Sequence, residues 1–399
     1  MDFQFSDEEK AFIKEVEDFV EKELPSDWDE KAFYWPVAYG TTLYSEQEYQ
    51  DIFRSFSRKL GEKGWLSLMW PAEYGGESSP MKQAILSDIL DYHRAAYDCA
   101  SMVIYGPTIA LHGSDEMKNK WLPRIAAGEA TFWLAYSEPD AGSDLASIQT
   151  TAVEDGDDLV LNGQKIWSTG AHVMDYAWLI ARTNPNVRRD QGISLMIVDT
   201  KSQGISVRPL INICGLHSFN EVFFDNVRVP KQNIIGEKDK GFYYLMSALQ
   251  GERFLITVGT FRRTFEELVE YVKTAKYDGR PLREDPSVRN KLADLKVDLE
   301  VLYGFYWRTV WLMENRLFSS ELDASALKLF ATEFTQKLAN TGMEILGLYG
   351  QLEQGSNWAP LKGRIGLGYL DSVSATIGAG TSDIQRMIMA TRGLGLPKK

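Results

Sequence analysis

The 399 residues are 44% hydrophobic and 25% charged, the balance of a soluble globular protein, and the length accommodates two or three domains with large cores. A net charge of −13, with no basic stripe interrupting the acidity, argues against nucleic acid as a partner. Cys99 and Cys214 stand far apart without metal-ligand companions, which argues against a disulfide framework and suits a reducing, cytoplasmic setting.

The opening Met-Asp-Phe-Gln-Phe is acidic and lacks an apolar segment, so neither a secretory signal nor a membrane span is expected. Ser6 and Glu9 have the spacing of a capping box, and Phe12, Ile13, Val16, Phe19 and Val20 then recur at helical intervals. Between 28 and 50, Trp28, Phe33, Tyr34, Trp35, Tyr39, Tyr44 and Tyr49 crowd a loop-like span. They either seal a packed insertion, which is the favoured reading, or line a pocket for a bulky group. Helices are predicted over about 46–64, 80–97, 100–112 and 116–128, making 1–130 an all-α domain.

The pattern then changes to period two. Runs such as 159–161, 176–180, 194–198, 205–207 and 222–224 are β-rich and are separated by Asp-Gly, Asn-Gly and Gln-Gly turns. They predict a β-barrel or sandwich domain over 131–236. Helical periodicity resumes over about 240–274, 286–318, 322–348 and 381–391, predicting a helical bundle over 237–399. Four histidines, His93, His112, His172 and His217, are scattered, and no metal site is expected.

Two segments carry chemistry. Ala135-Tyr136-Ser137-Glu138-Pro139-Asp140-Ala141-Gly142-Ser143-Asp144 follows an apolar run and reads as a polar, glycine-hinged loop. Gly142-Ser143 offers adjacent N–H groups and a hydroxyl, suited to a phosphate or a flat heteroaromatic edge; an ordinary surface turn is the plainer alternative. The second segment is Asn162-Gly163-Gln164-Lys165-Ile166-Trp167-Ser168-Thr169-Gly170. Its Asn-Gly is expected to be a hairpin turn that presents Trp167 and Thr169 on the returning strand.

Together these segments resemble the pair with which FAD-dependent acyl-CoA dehydrogenases hold their cofactor, and the resemblance covers nearly the whole chain. It implies an α+β multidomain fold: an N-terminal α-helical domain, a middle β-barrel or sandwich domain and a C-terminal four-helix bundle. It implies FAD, held by Tyr136, Ser137, Gly142, Ser143, Trp167, Thr169, Thr381 and Asp383, and an acyl-CoA substrate near Ser143, Arg253 and Gly378. The reaction implied is loss of a proton from the carbon α to the thioester and of a hydride from the β-carbon, with an electron-transfer flavoprotein as acceptor.

The base in most of that family is a Glu just before the Gly-Thr of a C-terminal segment. Here the segment reads Ile377-Gly378-Ala379-Gly380-Thr381, and Ala379 cannot accept a proton. Gly251-Glu252-Arg253 resembles the relocated base of isovaleryl-CoA dehydrogenase, which makes Glu252 the candidate; the alternative is an exposed carboxylate paired with Arg253 or a neighbour. Apolar neighbours at 248–249 and 254–256 would raise the pKa of a half-buried Glu252 towards that of a working base. By the resemblance, the backbone N–H of Ala379 and a ribityl hydroxyl polarise the thioester carbonyl, while Arg253 holds the 378–381 loop or a nearby carboxylate.

Other positions depart from the family. Ala275 stands where an Arg normally reaches a neighbouring subunit's FAD diphosphate, Asp278 stands where a Phe is usual, and 347–353 is a degenerate adenine-side segment. Lys276 or Arg280 would be the compensating cations. The stretches Asp278–Leu282 and Arg392–Pro397 resemble dehydrogenases of steroid side chains and other bulky acyl groups, several of which form α2β2 assemblies. Homotetramer and α2β2 heterotetramer both stay open, as do a non-catalytic half-site subunit and a same-fold monooxygenase. The acyl group itself is not legible.

Overall fold

The computed structural model describes residues 4–32, 47–252, 256, 258–318 and 322–397. In chain order its helices are α1 (Asp7–Glu23), α2 (Trp28–Lys31), α3 (Gln47–Glu62), α4 (Pro80–Tyr92), α5 (Gly106–His112) and α6 (Asp115–Ala126). Seven strands follow: β1 (Phe132–Ala135), β2 (Thr151–Asp155), β3 (Asp158–Lys165), β4 (Tyr176–Arg182), β5 (Ile193–Asp199), β6 (Ile205–Ile211) and β7 (His217–Pro230). The chain continues as α7 (Gly241–Glu252), α8 (Gly259–Thr274), a hairpin of β8 (Lys276–Tyr277) and β9 (Arg280–Pro281), α9 (Pro286–Glu314), α10 (Asp323–Leu346), α11 (Arg364–Ala375) and α12 (Ser382–Ile388). The expected order of helices, then sheet, then helices is the one observed. No helix among the described residues is long and apolar enough to cross a membrane.

The chain packs as two compact units. One, formed by Gly40–Ser79 and Ala96–Leu255, is built on the seven-stranded sheet, ordered β1-β4-β2-β3-β7-β6 with β5 paired to β4. Alternation decides which side chains enter its core: Leu159, Leu161, Leu179, Val198, Val222 and Val227 are all fully or almost fully buried, packed with Trp133. The end of β4 is tied down by polar contacts, since Asp175 accepts from the Thr131 hydroxyl at 2.8 Å and pairs with Arg54 at 3.2 Å. Helix α7 starts directly on β5, where a Cβ on Gly241 would lie 2.3 Å from the Leu195 nitrogen.

The sheet corrects one expectation. Asn162-Gly163 is not a hairpin turn; it lies inside β3, where the register against β7 shifts between Leu161 and Gly163. The hairpin joining β2 to β3 turns instead at Gly156-Asp157. Gly163 is needed for its backbone: its φ is 141°, and a Cβ would fall 2.7 Å from the Thr150 Cα. A glycine bulge, rather than a turn, therefore bends β3 towards the functional segment that follows it.

The other unit, formed by Met1–Tyr39, Pro80–Ala95 and Ile256–Lys399, is helical apart from the short hairpin. The capping box at Ser6 forms as expected, with Phe12, Val16, Phe19 and Val20 buried. Tyr306 of α9 donates to the Ala84 carbonyl of α4 at 3.1 Å. Glu267 of α8 gathers three guanidiniums, Arg94 at 2.5 Å, Arg263 at 2.8 Å and Arg364 at 2.8 Å. Of the 28–50 aromatics, Trp28 is buried and donates from Nε1 to the Arg94 carbonyl at 2.8 Å, which is packing. Phe33, Tyr34, Trp35, Tyr39 and Tyr44, and the side chain of Tyr49, lie outside the described residues.

Three helix expectations need revision. The span 240–274 is broken, with Ile256 and Val258 non-helical. Gly259 then opens α8 close against α4, where a Cβ would sit 2.0 Å from the Asp88 carbonyl oxygen. The span 100–112 is a π-turn, Ser101–Tyr105, leading into α5. Helix α11 was not expected because Gly363, Gly366 and Gly368 dilute its helical pattern. Gly366 is required by tertiary approach, since a Cβ there would meet the Gly350 carbonyl oxygen at 2.5 Å.

Candidate active site

In the sheet unit the two segments follow β1 and β3 and are bonded to each other. Ile166 donates its N–H to the Ser137 carbonyl at 3.0 Å, and Lys165 Nζ donates to the Tyr136 carbonyl at 2.9 Å. Lys165, with a fully buried side chain, also pairs with Glu138 at 2.8 Å. Glu138 further accepts from the backbone N–H of Thr150 at 2.9 Å and from that of Gln149. Burial alone would raise the Glu138 pKa, but the Lys165 ammonium and these N–H donors outweigh it and hold the carboxyl below its usual range. Burial pushes Lys165 down to about 8 against the pull of Glu138. This pair fastens one segment to the other, and the sequence reading missed it. In sequence Glu138 is one polar residue among many in its motif, and Lys165 occupies a core position of β3 where alternation calls for an apolar residue.

Beyond Lys165 the chain turns. Trp167 takes a left-handed φ of 59° and leaves its side chain 59% exposed, its ring edge-on to Phe219 at 5.9 Å. The next residues are pinned to β7 by Ser168 N–H to the Asn220 carbonyl at 3.1 Å and by Gly170 N–H to the Ser218 carbonyl at 3.2 Å. Asn220 is fully buried; its side-chain amide donates to the Ser168 carbonyl at 2.9 Å and to His172 Nδ1 at 3.1 Å, and its oxygen accepts from His217 Nε2 at 2.8 Å. Since Nδ2 must be the donor to a carbonyl, the amide orientation is set, and with it the tautomer of each histidine. The two imidazoles stack with centroids 4.0 Å apart. Two histidines that look scattered in sequence thus form one cluster behind Trp167 and Thr169.

Tyr136 and Ser137 are half-buried beside this segment, whereas Gly142 and Ser143 are exposed at the loop's far end. Nothing lies within 4 Å of where a Gly142 Cβ would be, so that backbone is open to a ligand. A planar indole face held in the left-handed region, the neighbouring Thr169 hydroxyl and the open Gly142-Ser143 backbone fit a flat heteroaromatic ring with a polar edge and a phosphate-bearing tail. The residues present therefore fit FAD.

The second cluster lies in the helical unit, between α11 and α12. Thr381 caps α12, its hydroxyl accepting from the Ile384 N–H at 3.1 Å, and Asp383 is exposed in the first turn of that helix. Gly378 and Ala379 are exposed. Ala379 has a left-handed φ of 53°, and its N–H has no acceptor among the described residues. Such a conformation costs an alanine roughly 1–2 kcal/mol and persists only where the surroundings enforce it. Enforcement comes from Lys328 of α10, whose Nζ donates to the Gly380 carbonyl at 2.8 Å and the Ala375 carbonyl at 3.1 Å. Buried Gln385 adds Nε2 donations to Ala379 O at 3.1 Å and Gly380 O at 3.3 Å. Glu252 is the last residue of α7; its side chain and the whole of Arg253 lie outside the described residues.

Comparison with known proteins covers the whole arrangement. Family models for the N-terminal, middle and C-terminal domains of acyl-CoA dehydrogenases match residues 6–129, 134–227 and 239–394. Acyl-CoA dehydrogenase FadE26 of Mycobacterium tuberculosis is 36% identical over 366 residues, 90% of this chain and 91% of that protein. The solved Tcur3481-Tcur3483 steroid ACAD superposes with a TM-score of 0.89 at 31% identity, with 100% of each chain covered. The ChsE4-ChsE5 complex from Mycobacterium tuberculosis gives 0.87 at 33% identity, again over 100% of each chain.

Proposed function

The chain belongs to the acyl-CoA dehydrogenase family of FAD-dependent oxidoreductases, and from that premise we propose that it desaturates the α,β bond of a bulky acyl-CoA with Glu252 as the base. The observation that carries the reading is in the sequence: Ala379 stands where most of the family has its Glu, while Gly251-Glu252-Arg253 keeps a glutamate, the last residue of α7. Bound FAD supplies the hydride acceptor. Glu252 removes the α-proton, and the Ala379 N–H donates to the thioester oxygen as charge builds on it. Trp167, Thr169, Tyr136 and Ser137 would hold the flavin ring, and the Gly142-Ser143 backbone would bind its phosphate-bearing tail. Thr381 and Asp383 keep their assignment to the cofactor, with Gly378, Ser143 and Arg253 beside the substrate.

Bulk in the acyl group is supported by the likeness to the Tcur3481-Tcur3483 steroid ACAD. An electron-transfer flavoprotein is the proposed acceptor and the cytoplasm the proposed compartment; free Cys99 and Cys214 are consistent with the latter. A panel of straight, branched, cyclic and steroid-derived acyl-CoA thioesters, read by loss of two hydrogens in the product mass, tests the reaction. Turnover confined to short straight chains would refute the substrate class.

A second reading, that this chain is one half of an α2β2 assembly, is favoured by Ala275 and by Leu348, which is 79% exposed in the adenine-side segment. Lys276 and Arg280 are exposed on the β8–β9 hairpin and are the compensating cations if the assembly is instead a homotetramer. FAD counted per chain in the protein purified alone separates the two. About one per chain means a self-sufficient homo-oligomer, and little or none means a partner chain completes the site.

A further inference from the structure

We propose that Lys328 is a positioning residue that sets how strongly the substrate's thioester carbonyl is polarised; this rests on the reading that the Ala379 N–H faces that carbonyl. Lys328 is 2% exposed, and its ammonium lies beneath the loop between α11 and α12. One of its acceptors, the Ala375 carbonyl, closes α11, so the cation sits at the negative end of a twelve-residue helix, where a fixed positive charge is favoured. The other, the Gly380 carbonyl, belongs to the second of two successive left-handed residues, Ala379 at 53° and Gly380 at 85°.

Gln385 draws the Ala379 and Gly380 carbonyls the same way. Holding the Ala379 and Gly380 carbonyls inward turns the N–H groups of Gly380 and Thr381 outward, because each peptide unit is planar and trans, while the Ala379 N–H, on the preceding peptide, is held through the left-handed backbone that those bonds fix at Ala379 and Gly380. Gln336, eight residues along α10 from Lys328, completes the hold by donating to the Thr376 hydroxyl at 3.1 Å and the Ser372 carbonyl at 3.4 Å. The loop is thus bonded on its inner side and presents unpaired N–H groups on its outer side. Lys328 contributes the loop's shape, through the Ala375 and Gly380 carbonyls, and a buried positive charge beneath the loop that carries the Ala379 N–H. No covalent or proton-transfer step is assigned to it.

The test uses FAD-loaded protein and a carbonyl-labelled enoyl-CoA made from the acyl-CoA that wild type turns over fastest. Infrared difference spectroscopy reads the downshift of the bound carbonyl stretch. In Lys328→Met the downshift should fall by about half or more, and kcat should fall about tenfold or more at nearly unchanged KM, while FAD per chain stays at the wild-type value. Lys328→Arg should recover part of the downshift. Should Lys328→Met fail to fold, Gln385→Met reads the same clamp and should give a smaller loss of downshift. A full wild-type downshift in the soluble variant overturns the proposal alone. Absence of any downshift in wild type overturns it together with the Ala379 reading.

Discussion

Replacing Lys165 with Met should destabilise the sheet unit and release FAD together, because one buried ion pair joins the 135–144 and 162–170 segments proposed to hold the cofactor. Lys165 has no exposed side-chain surface and Glu138 has 6%, so solvent cannot replace a lost partner. Breaking a buried pair by removing one member costs about 3–5 kcal/mol, most of it the stranded charge. Glu138 would keep its bonds from the Gln149 and Thr150 N–H groups, which places the loss near the lower end, about 3 kcal/mol. The double variant Glu138→Gln/Lys165→Met strands no charge and should recover at least about 2 kcal/mol of that loss. The pH dependence has a definite sign. The Glu138 pKa is lowered on folding, so its contribution is present above the ordinary 4.5 and disappears as pH falls through the folded value. The Lys165 pKa falls from 10.5 to about 8, so the folded state binds fewer protons across that window, and stability rises as pH climbs from 8 to 10.5. Calorimetry of the apo-protein and FAD retention on a desalting column would report both effects. A Lys165→Met protein within about 1 kcal/mol of wild type that keeps its flavin would refute the reasoning.

Asp371 of α11 is buried and raised to about 7 by burial, so its folded-state proton is lost as pH rises. The gap from 3.8, at about 1.36 kcal/mol per pH unit, makes roughly 4 kcal/mol an upper bound on the stability lost between pH 4 and 7. Asp371→Asn should therefore raise the Tm at pH 8 and bring it back towards wild type near pH 4, as thermal scans at the two values would show. Trp167→Ala should leave the Tm of the apo-protein nearly unchanged, since the ring is 59% exposed, yet weaken FAD binding by about tenfold in a fluorescence titration. Gly163→Ala forces a Cβ against Thr150 at a φ of 141° and should cost about 2 kcal/mol or more in urea unfolding.

Strand content was legible in short apolar runs bounded by turn residues: 176–180 and 194–198 became β4 and β5, which are buried on both faces and so read as continuous apolar stretches. The Asn-Gly pair misled because the same dipeptide serves a turn and a bulge, and only the Thr150 backbone lying against Gly163 decides between them. Helix α11 was hidden because Gly366 answers to the Gly350 backbone beside it, a tertiary demand that local propensity does not record. Within the candidate site, Trp167, Thr169 and Ala379 could be picked out from their sequence segments. Their supports could not. Lys165 with Glu138, Asn220 with His172 and His217, and Lys328 with Gln385 are joined across long stretches of sequence, and nothing in one member announces the other.

With Glu252 as the base, proton abstraction moves from the C-terminal segment to α7. Anaerobic mixing of FAD-loaded protein with its acyl-CoA, followed at the flavin visible band, tests it in a single turnover. Glu252→Gln should still bind the thioester but bleach at least about a hundredfold more slowly than wild type. Bleaching at the wild-type rate would show that another group takes the proton.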